Sequence, residues 1–171
     1  ELFESLDNKL SSLPTYKEME SRIAGIIATK EGNPFPSLVT SSTPSGDPFD
    51  LSSYKGKYVL VDFWGVWCGP CVAEMPQVKA FGEKYKDKLE IVGINSGDTK
   101  AKMMTFLEKN DYNWQQIISL NGNSNDNFVT RYNVQGFPTK FIIDPEGKIL
   151  KRYLGSGEDA FTLLESLMDK P

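Results

Sequence analysis

Near-continuous apolar residues from Tyr58 to Trp64 run through Gly65-Val66 into Trp67-Cys68-Gly69-Pro70-Cys71. This junction limits the fold more than any other feature of the chain. A short apolar run of that kind suits a strand buried on both faces, as in a parallel sheet covered by helices. Pro70 is suited to the first turn of a helix. The two cysteines therefore stand where a buried strand hands over to a helix N-terminus. Unpaired N–H groups and the positive end of the helix dipole favour an anion there, and so favour the Cys68 thiolate. Cys71 lies one helical turn further on, within reach of the Cys68 sulfur.

These are the only cysteines, and the chain has no histidine. A four-thiolate zinc site within one chain, a His-ligated metal and a Cys-His or Ser-His dyad are excluded on that count. Val72 stands where a c-type haem attachment requires His. A bridge across so short a loop removes little unfolded-chain entropy and makes a poor structural staple. Exchange is the favoured chemistry, set against a structural disulfide and half of an intermolecular zinc site. Cys68 attacks a substrate disulfide, a mixed disulfide forms, and Cys71 resolves it. That reading needs no cofactor and no metal beyond a redox-active Cys68–Cys71 disulfide.

With 39% hydrophobic and 25% charged residues, the 171-residue chain has the composition of an ordinary globular protein. A net charge of −4 argues against a nucleic-acid partner. No apolar run approaches the roughly 18 residues of a membrane span. The chain begins at Glu1 without a basic and then apolar leader. Both a cytosolic protein and an exported one already processed fit that start.

Residues 1–32 read as an N-terminal helical extension and 33–171 as the main domain. Leu2, Leu6 and Leu10 share a stripe. Met19, Ile23, Ile26 and Ile27 continue an apolar face after Pro14, and that face is expected to pack on the domain. Phe35 to Asp50 reads as a β-hairpin turning at Ser45-Gly46-Asp47. After the Tyr58–Trp64 strand come a helix from Gly69 to about Lys86 and a strand from Leu89 to Asn95. A helix from Thr99 to Lys109 and a strand from Gln116 to Leu120 follow. A loop then leads to a helix carrying Phe128 and Tyr132. Strands Thr139–Ile143 and Lys148–Leu154 flank the turn Asp144-Pro145-Glu146-Gly147. Ser156 and Asp159 suggest a capping box for a last helix bearing Phe161, Leu164 and Leu167. This order predicts an α/β fold, a central mixed sheet with helices on both sides.

The segment Val59 to Cys71 resembles the active-site strand and turn of thioredoxin. The wider chain resembles the TlpA/ResA branch of that superfamily, related to the AhpC/TSA peroxiredoxins. The matching stretches are Asn33–Pro36, Phe49–Lys57, Arg131–Thr139 and Ile142–Ile149. The resemblance implies a thioredoxin fold with an added N-terminal β-hairpin, and thiol–disulfide oxidoreductase activity. It implies that Cys68 is the exposed nucleophile and Cys71 the resolving thiol. Pro138 matches the cis-proline beside the disulfide, and Phe137 offers backbone groups to a substrate strand. Trp67, Pro70 and Phe137 would form an apolar rim for an extended peptide. Asp62 matches thioredoxin's buried acid, and Glu74 the acid of the TlpA/ResA branch. Each acid also has a physical reading of its own. Asp62 lies in an apolar strand, where burial favours its neutral form. Glu74 follows Cys71 by one helical turn. Thioredoxin's lysine near the buried acid has no counterpart in Glu90–Asn95.

The Gly-Pro dipeptide is thioredoxin's, which favours a reducing protein near about −270 mV. The family further implies export, to the periplasm or another extracytoplasmic space. It implies disulfide-containing protein substrates, a membrane thiol–disulfide electron donor and often a membrane anchor. Its roles include cytochrome c maturation and general disulfide reduction. Two other classes compete. A peroxidase would show as peroxide consumption by Cys68 alone. An interaction module built on residues 1–31 would survive loss of both cysteines.

Overall fold

A computed structural model describes residues 14–122 and 124–169. Leu2, Leu6 and Leu10 lie outside the described residues. The elements in chain order are α1 (Pro14–Ala28), β1 (Val39–Thr40), β2 (Phe49–Asp50), β3 (Tyr58–Trp64) and α2 (Gly69–Lys84). They continue with β4 (Leu89–Ser96), α3 (Lys100–Lys109), β5 (Gln115–Ser119) and α4 (Phe128–Arg131). Last come β6 (Thr139–Ile143), β7 (Ile149–Leu154) and α5 (Asp159–Met168).

The main sheet has the order β5-β4-β3-β6-β7. β3 runs parallel to β4 and antiparallel to β6, so the apolar strand leading to the cysteines is central. Its alternation divides the core. Val59, Val61 and Phe63 meet Phe141, Ile143, Ile94 and Ile117 on one face, under Phe35, Phe128 and Tyr132. On the other face Leu60 meets Ile142 and Ile91 under Val78 of α2 and Phe161 and Leu164 of α5. At the end of that face nearest the cysteines, Trp64 packs with Met75, Met103 and Leu107. Burial on both faces explains why β3 reads as continuously apolar.

The hairpin expected between Phe35 and Asp50 is present, but its ladder is only Val39↔Asp50 and Thr40↔Phe49. The chain around it does more for the main sheet. Ile118 of β5 donates its N–H to the Ser42 carbonyl at 2.7 Å, outside the ladder with β4. At the opposite edge Gly32 donates to the Ile149 carbonyl at 2.7 Å, and Ile149 donates to the Asn33 carbonyl at 2.9 Å.

Two local expectations need correction. The apolar stripe of α1 faces outward, with Met19 60% and Ile26 44% exposed. The helix seats through its opposite side, where Gly25 is buried against α4. A Cβ on Gly25 would stand 2.9 Å from the Arg131 carbonyl oxygen, so only glycine permits that approach. The capping box of α5 is also absent, since Glu158 is the N-cap and makes no side-chain cap. The Gly157 N–H instead donates to Glu74 Oε1 of α2 at 2.7 Å.

Candidate active site

Cys68 is the N-cap of α2 and is joined to Cys71 in a disulfide, with the Cα atoms 5.3 Å apart. The Cys68 Sγ accepts the Cys71 N–H at 3.3 Å. One orphan donor of the helix's first turn is thus turned on that sulfur, an arrangement expected to favour a thiolate there once the bridge is reduced.

The resemblance implied an exposed nucleophile, yet Cys68 is 4% exposed and Cys71 1%. Both sulfurs belong to the cluster of Trp64, Met75, Met103 and Leu107, and Phe137 packs against that cluster. Phe137 also meets the Trp67 ring edge-on at 5.1 Å between centroids. Trp67 is 53% exposed, and Pro70 is exposed. Pro138 is buried, and the Phe137–Pro138 bond is cis. The Pro138 carbonyl accepts the Gly155 N–H at 2.8 Å, and the Thr139 hydroxyl donates to the Gly136 carbonyl at 2.7 Å. An apolar surface therefore adjoins an enclosed disulfide.

The turn that carries Cys68 is held from outside its own strand. Asp98, between β4 and α3, accepts the Val66 N–H on Oδ2 at 2.6 Å. It also accepts the Asn95 amide at 3.0 Å and the Lys102 ammonium on Oδ1 at 2.7 Å. Burial pushes the Asp98 carboxyl up, but the Lys102, Val66 and Asn95 hydrogen bonds outweigh it and hold it below its ordinary value. The Trp67 indole N–H donates to the Ser96 carbonyl at 2.8 Å. Its ring lies over Gly97, where φ is +82° and a Cβ would stand 2.9 Å from Nε1. Sequence reasoning missed this Ser96-Gly97-Asp98 cradle. The usable signal was position, since loops after parallel strands gather at the sheet end where ligands bind.

Asp62 is 3% exposed and lies on the α2-facing side of β3. Its cross-strand partner is Lys140 of β6. The Lys140 ammonium is 3.7 Å from Asp62 Oδ1, beyond hydrogen-bond reach, and Oδ1 has no hydrogen-bond partner. Lys140 donates instead to Glu74 Oε2. Burial pushes the Asp62 carboxyl up to about 6; the Lys140 charge pulls it down and the Glu74 charge pushes it up. Glu74 is not a solvated helix carboxylate, because its side chain is 12% exposed and is held by Lys140 and Gly157. The absence of a lysine in Glu90–Asn95 is made good from the other neighbouring strand. Removing Lys140, the one cation of so buried a set, typically costs about 3–5 kcal/mol, because the carboxylates left behind are uncompensated.

The chain matches the Redoxin family over residues 30–166. It is 33% identical over 134 residues to the thiol-disulfide oxidoreductase ResA of Bacillus subtilis (strain 168), covering 78% of this chain and 72% of that one. The ResA of Geobacillus kaustophilus is 33% identical over 143 residues, covering 82% and 79%. Among solved structures, the thioredoxin domain of a thiol-disulfide oxidoreductase from Bacteroides vulgatus aligns with a TM-score of 0.71 at 28% identity, covering 82% of this chain and 99% of that domain.

Proposed function

The chain belongs to the Redoxin family and is a thiol–disulfide oxidoreductase acting on disulfide-containing proteins, and on that premise we propose that it works as a reductase outside the cytoplasm. The observation that carries this reading is the Cys68 Sγ at the head of α2, facing the Cys71 N–H. In the reduced protein the Cys68 thiolate attacks one sulfur of a substrate disulfide. The substrate's other sulfur leaves as a thiolate, and a mixed disulfide remains. The Cys71 thiol gives up its proton and attacks the Cys68 sulfur. The bond from Cys68 to the substrate breaks, and its electron pair departs on the substrate sulfur that Cys68 had attacked.

Asp62 takes the Cys71 proton in this scheme. It is a buried carboxyl on the sheet face against which α2 packs, with an unengaged oxygen. Glu74 acts beside it through Lys140. Trp67, Pro70 and Phe137 present the apolar rim, and the substrate lies extended along the backbone before Pro138. The thioredoxin-like Gly69-Pro70 dipeptide supports the reducing direction. Electrons come from a membrane-bound thiol donor, and disulfides of apocytochrome c and general misplaced disulfides are the substrate classes.

Both cysteines fall within the dithiol motif, which suits a compartment where a spare thiol would be oxidised. No helix among the described residues is long and apolar enough to cross a membrane, so an anchor is a proposal from the family alone.

The test is insulin-disulfide reduction paired with trapping. Cys68→Ser removes turnover, and Cys71→Ser accumulates mixed disulfides that identify the substrates. Undiminished reduction by Cys68→Ser ends the reading. Labelling of the thiols in intact cells by a membrane-impermeant reagent tests the location.

A further inference from the structure

Lys140 is the least expected residue in the molecule. It sits in the middle of β6, a strand whose five residues are all buried, and its side chain is 2% exposed. A lysine there must be compensated. Two carboxylates from two other elements do this. Glu74 of α2 accepts its hydrogen bond, and Asp62 of β3 stands 3.7 Å away on the partner position of the ladder. The ring of Phe161 in α5 lies 6.0 Å from the ammonium. Glu74 in turn accepts the Gly157 N–H ahead of α5. Three elements thus place two anions and one cation on the α2-facing side of the sheet. The cation rides two residues beyond Pro138, on the strand proposed to meet the substrate.

We infer that Lys140 is a positioning residue of the exchange reaction, whose buried ammonium ties Glu74 and Asp62 into one cluster and so sets the protonation state in which Asp62 meets the Cys71 thiol. This rests on the reading of Asp62 as proton acceptor. With two carboxyls and one cation, the cluster carries one net negative charge when both carboxyls are ionised. Among the described residues, the charged groups that act on Asp62 are Lys140 from β6 and Glu74 from α2. Cys71, also on α2, is neutral as a disulfide and as a thiol. β4 faces Asp62 with Gly93.

The direction of each charge is unambiguous. Lys140 favours the ionised Asp62, which is the form able to accept a proton. Glu74 opposes it. Lys140 meets Glu74 by a hydrogen bond and Asp62 only across a gap, so Glu74 competes with Asp62 for the cation. Glu74 is therefore a brake on the base, and Lys140 its release. A lysine serving only to fill space would leave the acid's titration untouched when replaced by an apolar side chain of its own length.

The experiment isolates the resolving step. The reduced protein is mixed with one equivalent of 5,5′-dithiobis(2-nitrobenzoate). The first thionitrobenzoate released reports attack by Cys68, and the second reports attack by Cys71 on the mixed disulfide. The rate of second release is followed from pH 4 to pH 9, and the retained fold is checked by circular dichroism. In the wild type this rate should rise through a midpoint set by Asp62. Lys140→Met should move the midpoint up by about one to three pH units, the usual effect of losing a neighbouring opposite charge. Lys140→Arg should restore the wild-type profile. Glu74→Gln leaves Lys140 to Asp62 alone, should move the midpoint down, and decides the matter should Lys140→Met fail to fold.

Asp62→Asn should abolish the inflection. If the inflection survives that substitution, the proton-acceptor reading falls and takes this inference with it. If Asp62→Asn removes the inflection while Lys140→Met and Glu74→Gln leave its midpoint in place, the role of Lys140 alone is overturned.

Discussion

Asp98 accepts the backbone N–H of Val66 at 2.6 Å, joining the loop after β4 to the turn that delivers Cys68. The bond spans 32 positions of sequence and fixes the residue just before Trp67. Asp98→Ala leaves that N–H without its acceptor, at a cost of about 1–3 kcal/mol. Thermal unfolding of the oxidised protein should show the loss at pH 7. Asp98 titrates lower in the folded chain than in the unfolded one. Its stabilisation is therefore complete above the unfolded value of about 3.9 and fades as the pH falls through the lower folded value. The deficit of Asp98→Ala should shrink accordingly in acid. An unchanged melting temperature at pH 7 would contradict the bracing role.

Asp62 carries the opposite sign. Holding a carboxyl at about 6 against an ordinary 3.8 costs the folded state up to about 3 kcal/mol once the group is ionised. The folded chain keeps this proton at pH values where the unfolded chain has released it. The penalty is thus absent below about pH 4, grows as the pH rises to about 6, and is full above that. Asp62→Asn should make the oxidised protein more stable at pH 7 and no more stable at pH 3.5, while slowing turnover. Urea unfolding at the two pH values checks this.

Phe137 touches both Trp67 and the cluster that encloses the disulfide. Phe137→Ala gives up an edge-on aromatic pair worth about 0.5–1.5 kcal/mol and opens a path to the sulfur. Alkylation of the reduced protein by iodoacetamide, read by mass spectrometry, should become several-fold faster at Cys68. Equal rates would show that Phe137 does not limit access.

At Gly25 a side chain has no room. Gly25→Val drives its Cβ to within 2.9 Å of the Arg131 carbonyl, and such overpacking costs about 1–3 kcal/mol. The strain can be relieved by unseating α1, because the helix presents its large apolar residues to the outside. Limited proteolysis should then cut within residues 14–28 while disulfide exchange persists. Loss of exchange together with the cut would show that α1 supports the site.

Much of the fold was legible because strong local signals agreed with one another. The Tyr58–Trp64 run, the Gly69-Pro70 helix entry and the Asp144–Gly147 turn each specify their own geometry. What escaped was the assignment of faces and of long-range partners. Periodicity marks the stripe Met19-Ile23-Ile26-Ile27 but not the side that meets the domain, which a glycine decided by allowing close approach. Ser156 and Asp159 have the right types and spacing for a cap, but Glu74 on another helix claims the N–H nearby. Lys140 gives no sign of itself in sequence, since one lysine in a strand reads as a solvent-facing position. Only the register of β6 against β3 places it beside Asp62. Asp98 likewise acts through a contact that no local pattern encodes.

The short stretch from Gly32 to Ser42 touches both outer strands of the main sheet, at Ile149 on one rim and at Ile118 on the other. An open rim is a template on which a strand of another molecule can add, and it is the usual start of fibrillar association. Here a single span of chain serves as selvedge for both rims. A trimmed protein that began after Ser42 would keep its cysteines and its central strands, yet it would bare the Ile118 N–H at one border and the Ile149 N–H and carbonyl at the other, places where a foreign strand can begin to add.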